Sequence, residues 1–292
     1  ALAYDILYND MTTSQQAEVR LAISNATTGR RSWGMDYPPH RAYSNWYGYH
    51  GHLPVMLLAI EGETGYDAQV YNLWVDLMQN YLDHSLYPSG AAFEDAYTFL
   101  GLREGSTAMA ALARRGNNFF NHPNYQAMTR YVCQSLEPDS GGDFVGHASG
   151  GGMGYPTFWI LMKYANPADP VVDYNWHYFT RGDYVSQVRW QSYVEYCIFG
   201  MDWENPLDWS SLGLETSDFY PRRGLMIARS DETEDAAYLH FDARPDAMFP
   251  GHDNADRGGF TFSALGRQWV PDRAWGTFKD SADHSLVRID GV

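Results

Sequence analysis

The sequence predicts an α+β protein: a partial α/α toroid of helical hairpins followed by an antiparallel β-sheet domain. Up to about residue 205, apolar residues recur at helical spacing, broken by loops rich in Gly, Pro and Asn. After about residue 215 the period changes to short β-prone runs separated by Asp, Gly, Pro and Asn. The length of 292 residues leaves room for one large core or two ordinary ones, at roughly 100 to 200 residues per domain. We place the boundary between helices and sheet at 212/213. Residues 1–212 then form the helical domain, and residues 213–292 the start of an antiparallel β-sandwich.

Each element has its own signal. Tyr4, Leu7 and Met11 begin one apolar stripe, and Val19, Leu21 and Ile23 begin the next. Residues 53–61 read as a helix stopped near Gly62 and Gly65. Val70, Leu73, Trp74, Leu77 and Tyr81 make a further stripe, followed by helices at 98–115, 125–135 and 158–164, the last ended by Asn166 and Pro167. The stretches 34–51 and 141–156 are long loops carrying aromatic and polar groups, and loops longer than about 12 to 15 residues in a compact domain tend to be functional or mobile. Strands are expected at 224–230, 236–241, 259–265, 268–270 and 285–289.

Composition excludes several classes. With 10 Trp, 22 Tyr and 14 Phe, the chain carries too much burial for intrinsic disorder. No apolar run approaches the ~20 residues of a membrane span. A net charge of -16 argues against general nucleic-acid binding, which draws its affinity from Lys and Arg on phosphates. It does not exclude a polyanion held in a locally basic cleft. The two cysteines, Cys133 and Cys197, fit no metal-ligand spacing and are either one disulfide or two buried thiols. The first residues, Ala1 to Asp5, have no charged region of the kind that opens a signal peptide and already read as a helix interior. The Gly-rich run 149–154 lacks the Lys-Ser/Thr that would make it a phosphate loop, and a rim loop with His147 beside it is the better account.

The polar chemistry concentrates in three segments. Residues 43–52 place Asn45, His50 and His52 among aromatics just before an apolar helix; a turn-closing Asn and surface imidazoles would explain them structurally. Residues 89–97 carry Glu94, Asp95 and Tyr97 between a glycine turn and a helix, where acids also favour the helix dipole without any further role. Residues 250–260 bring His252, Asp253, Asn254, Asp256 and Arg257 to the start of a strand, and Asp272, Asp283 and His284 follow. Packing alone explains this last cluster poorly.

Together these segments resemble the heparinase II/III-like polysaccharide lyases. The resemblance is carried by Ser44-Asn45-Trp46 with the apolar helix after it, by Glu94-x-x-Tyr97, and most of all by the runs 220–230, 238–242, 251–260, 266–272 and 284–291 in the family's order. It covers roughly residues 40 to 292, more loosely before 200. It implies a toroid joined to an antiparallel β-domain, and β-elimination on a uronic-acid-containing polysaccharide such as alginate, ulvan or a glycosaminoglycan. By motif position Asn45 corresponds to the group that neutralises the uronate carboxylate, Tyr97 to the tyrosine acid and base, and His252 to the imidazole of the β-domain, with His50 in reserve for the helical-domain imidazole. The family's structural metal would fall on Asn254, Asp272 and His284. Asn254 stands where a histidine is expected, and an amide oxygen moves the preference from Zn²⁺ toward Ca²⁺ or Mn²⁺, or leaves a site bridged by hydrogen bonds. No organic cofactor is implied.

An acidic polymer also needs cations and stacking surfaces. Arg30, Arg31, Arg41 and Arg257 are the cationic candidates, while Trp46, Tyr47, Tyr49, Trp176 and Tyr178 could stack on sugar faces; Glu94 and His147 join Arg41, Trp46, Tyr49 and Arg257 as substrate contacts. Solvated ion pairs and core aromatics are the ordinary alternatives. The acidic exterior fits a secreted or periplasmic enzyme of bacterial type. The whole architecture normally takes more than 292 residues, so the chain is expected to start inside the toroid and stop inside the sheet. Two other functions remain open: a glycoside hydrolase on an α/α toroid with Glu94 or Asp95 in a carboxylate pair, and a carbohydrate-binding protein without catalysis.

Overall fold

The computed structural model describes residues 1–29, 51–94, 96–138, 156–165, 167–180, 208–244 and 257–271. A helical region comes first. It comprises α1 (Leu2–Leu7), α2 (Thr13–Gly29), α3 (Leu53–Leu58), α4 (Ala68–Ser85), α5 (Ala96–Arg114), α6 (Pro123–Ser135), α7 (Pro156–Ala165) and α8 (Pro170–Thr180). An antiparallel sheet follows, of β1 (Ser217–Tyr220), β2 (Leu225–Arg229), β3 (Tyr238–Asp242), β4 (Gly259–Ala264) and β5 (Arg267–Val270), paired in chain order.

Local chemistry explains where the helices start. Asp67 caps α4, its carboxylate accepting from the backbone N–H of Gln69 (2.9 Å) and Val70 (3.1 Å). His122 caps α6 through an acceptance from Asn124 N–H, with Pro123 at the first helical position. Asp169 accepts from Val171 N–H at 3.0 Å, and Pro170 opens α8 in the same way. That Asp-Pro start was not read as a helix from sequence. The buried pair Lys163–Asp173, 2.7 Å apart, then closes α7 onto α8, and Lys163 Nζ also donates to Pro167 O at 2.7 Å.

Several expected stripes shift. In α4 the buried line is Val70, Trp74, Met78 and Leu82, four residues apart, with Leu73 and Leu77 at its margin. Leu7 and Leu21 are exposed by 49% and 61%, while Tyr4 and Ile23 are buried in the core and Met11 and Val19 pack against it. The first stripe breaks at a 3-10 turn, Tyr8–Asp10. The helix expected over 53–61 ends at Leu58 and continues as turns. Trp176 is 3% exposed inside the main core, so its ordinary alternative holds and it is no stacking surface. Cys133 is a free, fully buried thiol whose pKa burial pushes up; Cys197 lies outside the described residues.

Four expected strands are present, and the stretch 285–289 lies outside the described residues. Strand β1 was not read from sequence. The β1–β2 turn carries Pro221 and ends on Gly224 at φ 68, where both Arg223 and Gly224 donate N–H to Tyr220 O. Leu265 and Gly266, at φ 57 and 66, make the tight β4–β5 turn. Alternation then sorts the faces. Leu225, Ile227, Tyr238, His240, Asp242, Thr261 and Ser263 are buried on one face. The opposite face carries a row of Phe219, Met226, Phe241 and Phe260, graded from exposed to half-buried.

One core joins helices and sheet. Tyr220, Leu225, Ile227 and Tyr238 belong to the same buried cluster as Trp74, Phe99, Leu102, Tyr131, Trp159 and Trp176. Each such side chain contributes about 1.5–3 kcal/mol relative to exposure. Polar ties add direction: Tyr238 OH donates to Ser135 O (3.2 Å), and Arg229 donates to Leu136 O (2.7 Å) while lying over the rings of Trp209 and Tyr238.

Between α4 and α5 the chain doubles back through a turn closed by Tyr87 N–H to Ala91 O, Gly90 N–H to Tyr87 O and a bridge between Leu86 and Ala92. Gly90 adopts φ +81, and a Cβ there would lie 2.3 Å from the Ala127 carbonyl carbon on α6. Gly90→Ala should therefore cost at least about 2 kcal/mol, combining left-handed strain with a backbone clash. Chemical denaturation checks this; a loss under half that value would mean that the turn and α6 separate freely.

Candidate functional site

The turn just described leads directly into Glu94 and the first turn of α5, on which Tyr97 stands. Glu94 is 2% exposed, and its N–H donates to Thr98 Oγ1 at 3.0 Å. Tyr81 OH donates to Thr98 O at 3.0 Å, so this first turn is held from both sides by α4 and by its own capping contact. The helix dipole places positive potential at the same end, where developing negative charge is favoured.

From the sheet, Arg223 reaches this segment. It sits in a hairpin turn yet is fully buried, because its guanidinium runs inward: Nε donates to Ala92 O at 3.1 Å, and Nη1 lies 3.0 Å from Asp242. Arg244 Nη2 meets the same carboxylate at 3.3 Å, and Arg244 N–H donates to Asp242 Oδ1 at 3.2 Å. The Asp242 carbonyl accepts from Gly258 N–H at 2.6 Å, within the 250–260 segment. A buried charged knot therefore links the end of β3, the start of β4, the β1–β2 turn and the approach to α5. His240 and Thr261 face each other beside it on the inner sheet face, each 1% exposed.

The third tie comes from the first motif. Gly51 lies against Gly105 of α5: a Cβ on Gly105 would be 3.8 Å from the Gly51 Cα. Gly105 follows Tyr97 by two helical turns, about 12 Å along the axis. With Gly101, Trp74 and Met109 these glycines line a small apolar pocket. The chain that follows the Asn45–His50 motif and the chain that follows the His252 motif are thus both anchored around α5 and the turn before it.

Of the sequence candidates, His52, Glu94, Trp176 and Arg257 are described with side chains, Arg257 being exposed beside Gly258. Tyr97 is placed by its backbone in α5. Asn45, His50, Arg41, Trp46, Tyr49, His147, His252, Asn254, Asp272 and His284 lie outside the described residues, as do Arg30 and Arg31. Arg223, Asp242 and Arg244 were not singled out from sequence. A signal for Asp242 alone was available in Tyr238-Leu-His-Phe-Asp242, where the inward positions of a strand carry an imidazole and a carboxylate. The buried tyrosines Tyr125 and Tyr220 are unsuited to proton transfer. Burial drives the Tyr125 phenol well up, and burial with the Asp218 charge drives Tyr220 up, so both stay protonated; Tyr220 OH donates to Gln134 Oε1 in the core.

Among solved structures the chain is similar to a mutant of heparan sulfate lyase HepC from Pedobacter heparinus, with TM-score 0.53 and 13% identity over 79% of this chain and 32% of that one. It is also similar to heparinase III, with TM-score 0.54 and 12% identity over 82% of this chain and 35% of that one. The likeness is one of fold, and the chain spans about a third of the length of these lyases. No family model matches the chain, and no curated protein does. Among the described residues no helix is long and apolar enough to cross a membrane.

Proposed function

We propose that this chain is the toroid-and-sheet part of a polysaccharide lyase that cleaves a uronic-acid-containing polymer by β-elimination. The observation that carries the reading is the Arg223 bridge from the sheet to Ala92, two residues before Glu94, within a fold shared with heparinase III. In this reaction the C5–H and C4–O bonds of a uronate break, the C5 electron pair forms the C4=C5 double bond, and the departing oxygen takes up a proton. The C5 proton is weakly acidic, so charge developing on the neighbouring carboxylate must be neutralised by preorganised donors. Asn45 is assigned that task, with His252 as base or second stabiliser and His50 in reserve. Tyr97 delivers the proton to the leaving oxygen and can accept the C5 proton where stereochemistry allows. An unperturbed phenol has a pKa of about 10, so the base role needs a nearby cation; the first turn of a helix supplies part of that field.

Arg41, Arg257, Trp46, Tyr49, Glu94 and His147 are assigned to the polymer, the cations to its negative groups and the rings to its sugar faces. Asn254, Asp272 and His284 are assigned to one structural divalent ion, and their two oxygens and one nitrogen suit Ca²⁺ or Mn²⁺ better than Zn²⁺. A second sheet layer over the Phe219, Met226, Phe241 and Phe260 row is part of the same proposal, since an apolar outer face suits one layer of a sandwich.

Incubation with a panel of alginate, ulvan and glycosaminoglycans tests the reaction. A lyase produces the ultraviolet band of an unsaturated uronate without added cofactor. New reducing ends without that band would replace elimination by hydrolysis, and binding with neither product would leave a carbohydrate-binding protein.

A further inference from the structure

We propose that Arg223 is a positioning residue, setting the first turn of α5 against the polar inner face of the sheet. Hairpin-turn arginines ordinarily project into water, where the long side chain keeps its entropy and hydration. Arg223 does the reverse at 0% exposure. Its planar fork spends separate nitrogens on two different elements: Nε on the Ala92 carbonyl and Nη1 on the Asp242 carboxylate.

Each end of that span is itself fixed. Asp242 closes β3, pairs with Leu225 and Gly259 across the ladder, holds Arg244, and accepts Gly258 N–H through its carbonyl. Ala92 bridges Leu86, and the next residue, Phe93, donates N–H to Ser85 O at 2.9 Å at the end of α4. Four residues after Ala92 the chain enters α5. A shift of Arg223 therefore moves the approach to Tyr97 relative to the strand that follows the His252 motif. The core contacts of Tyr220, Leu225 and Ile227 hold sheet to helices but are not directional, whereas the Arg223 bonds fix register and distance.

Lysine keeps the charge but offers one nitrogen, which cannot occupy both positions. The test uses Arg223→Lys, with Asp242→Asn as a second variant that frees the other end of the same bridge. Amide hydrogen exchange should rise about tenfold or more at Glu94 and its neighbours in each folded variant, while in Arg223→Lys the α6 amides around Val132 keep wild-type protection. The catalytic consequence rests on the lyase reading: kcat on the polymer should fall by about 10- to 100-fold, with KM within about twofold, because misplacing a reacting group by an ångström has that effect. Wild-type exchange at Glu94 in Arg223→Lys would overturn the inference, as would an equal rise across α6 in that variant. A wild-type chain that cleaves no uronate polymer would remove the lyase reading alone, since the exchange result still decides whether Arg223 positions this segment.

Discussion

Replacing Tyr97 by Phe should lower turnover on the susceptible uronate polymer by about 10²- to 10⁴-fold, the range that a positioned acid or base supplies. Only the phenolic oxygen is lost, and the backbone position in the first turn of α5 is unchanged. Polymer affinity should stay within about threefold, less than 1 kcal/mol of binding. Such a loss in kcat without a loss in binding is the signature of a group that acts in the transition state. The measurement is the initial rate of unsaturated-uronate absorbance beside a direct titration of polymer. Turnover within threefold of wild type would take Tyr97 out of the proton-transfer role. Tyr125 and Tyr220 are poor substitutes, because burial raises both phenols and keeps them protonated.

Asp242→Ala should be among the most destabilising single changes in the chain, at about 3–5 kcal/mol. The carboxylate is buried with the guanidiniums of Arg223 and Arg244, whose side chains are 0% and 1% exposed. Removing it leaves two positive groups in a region that water does not reach. That penalty exceeds the net worth of the pair itself, which is small for buried ions once desolvation is included. Urea unfolding with an unchanged slope and a lower midpoint is the expected result. A loss below about 1 kcal/mol would mean that water enters the knot and solvates both arginines. Arg115–Glu61 offers a contrast within the same molecule: it is solvent-exposed on both sides, and its loss should be worth under about 1 kcal/mol.

The places where sequence reading succeeded and failed share a physical logic. Helices α4, α5 and α6 were legible because each repeats apolar residues over at least three turns, and strands β2 to β4 because their inward and outward residues alternate. Helix α8 was passed over although Asp169-Pro170 is a good start signal; its aromatics were weighed as sugar platforms instead. Strand β1 was not read because Ser217–Tyr220 is short and only Tyr220 is buried.

For the candidate site, the motif at Glu94 and Tyr97 was found from residue type and spacing, and the structure sets it at the start of α5. The arginine knot was not found, since nothing local distinguishes a turn arginine that enters the interior from one that enters solvent. The partners of Arg223 are distant in the chain, at Ala92 and Asp242.

What the sequence by itself determined is a helical region followed by an antiparallel sheet, and the change of period near residue 215 that separates them. Those are local properties, set by backbone propensity and side-chain chemistry. Only the tertiary structure decided which aromatics are core, which way Arg223 points, and that the sheet ends against the approach to α5. Burial and long-range pairing arise only when the layers meet, because the free energy of a charged group depends on what replaces its water.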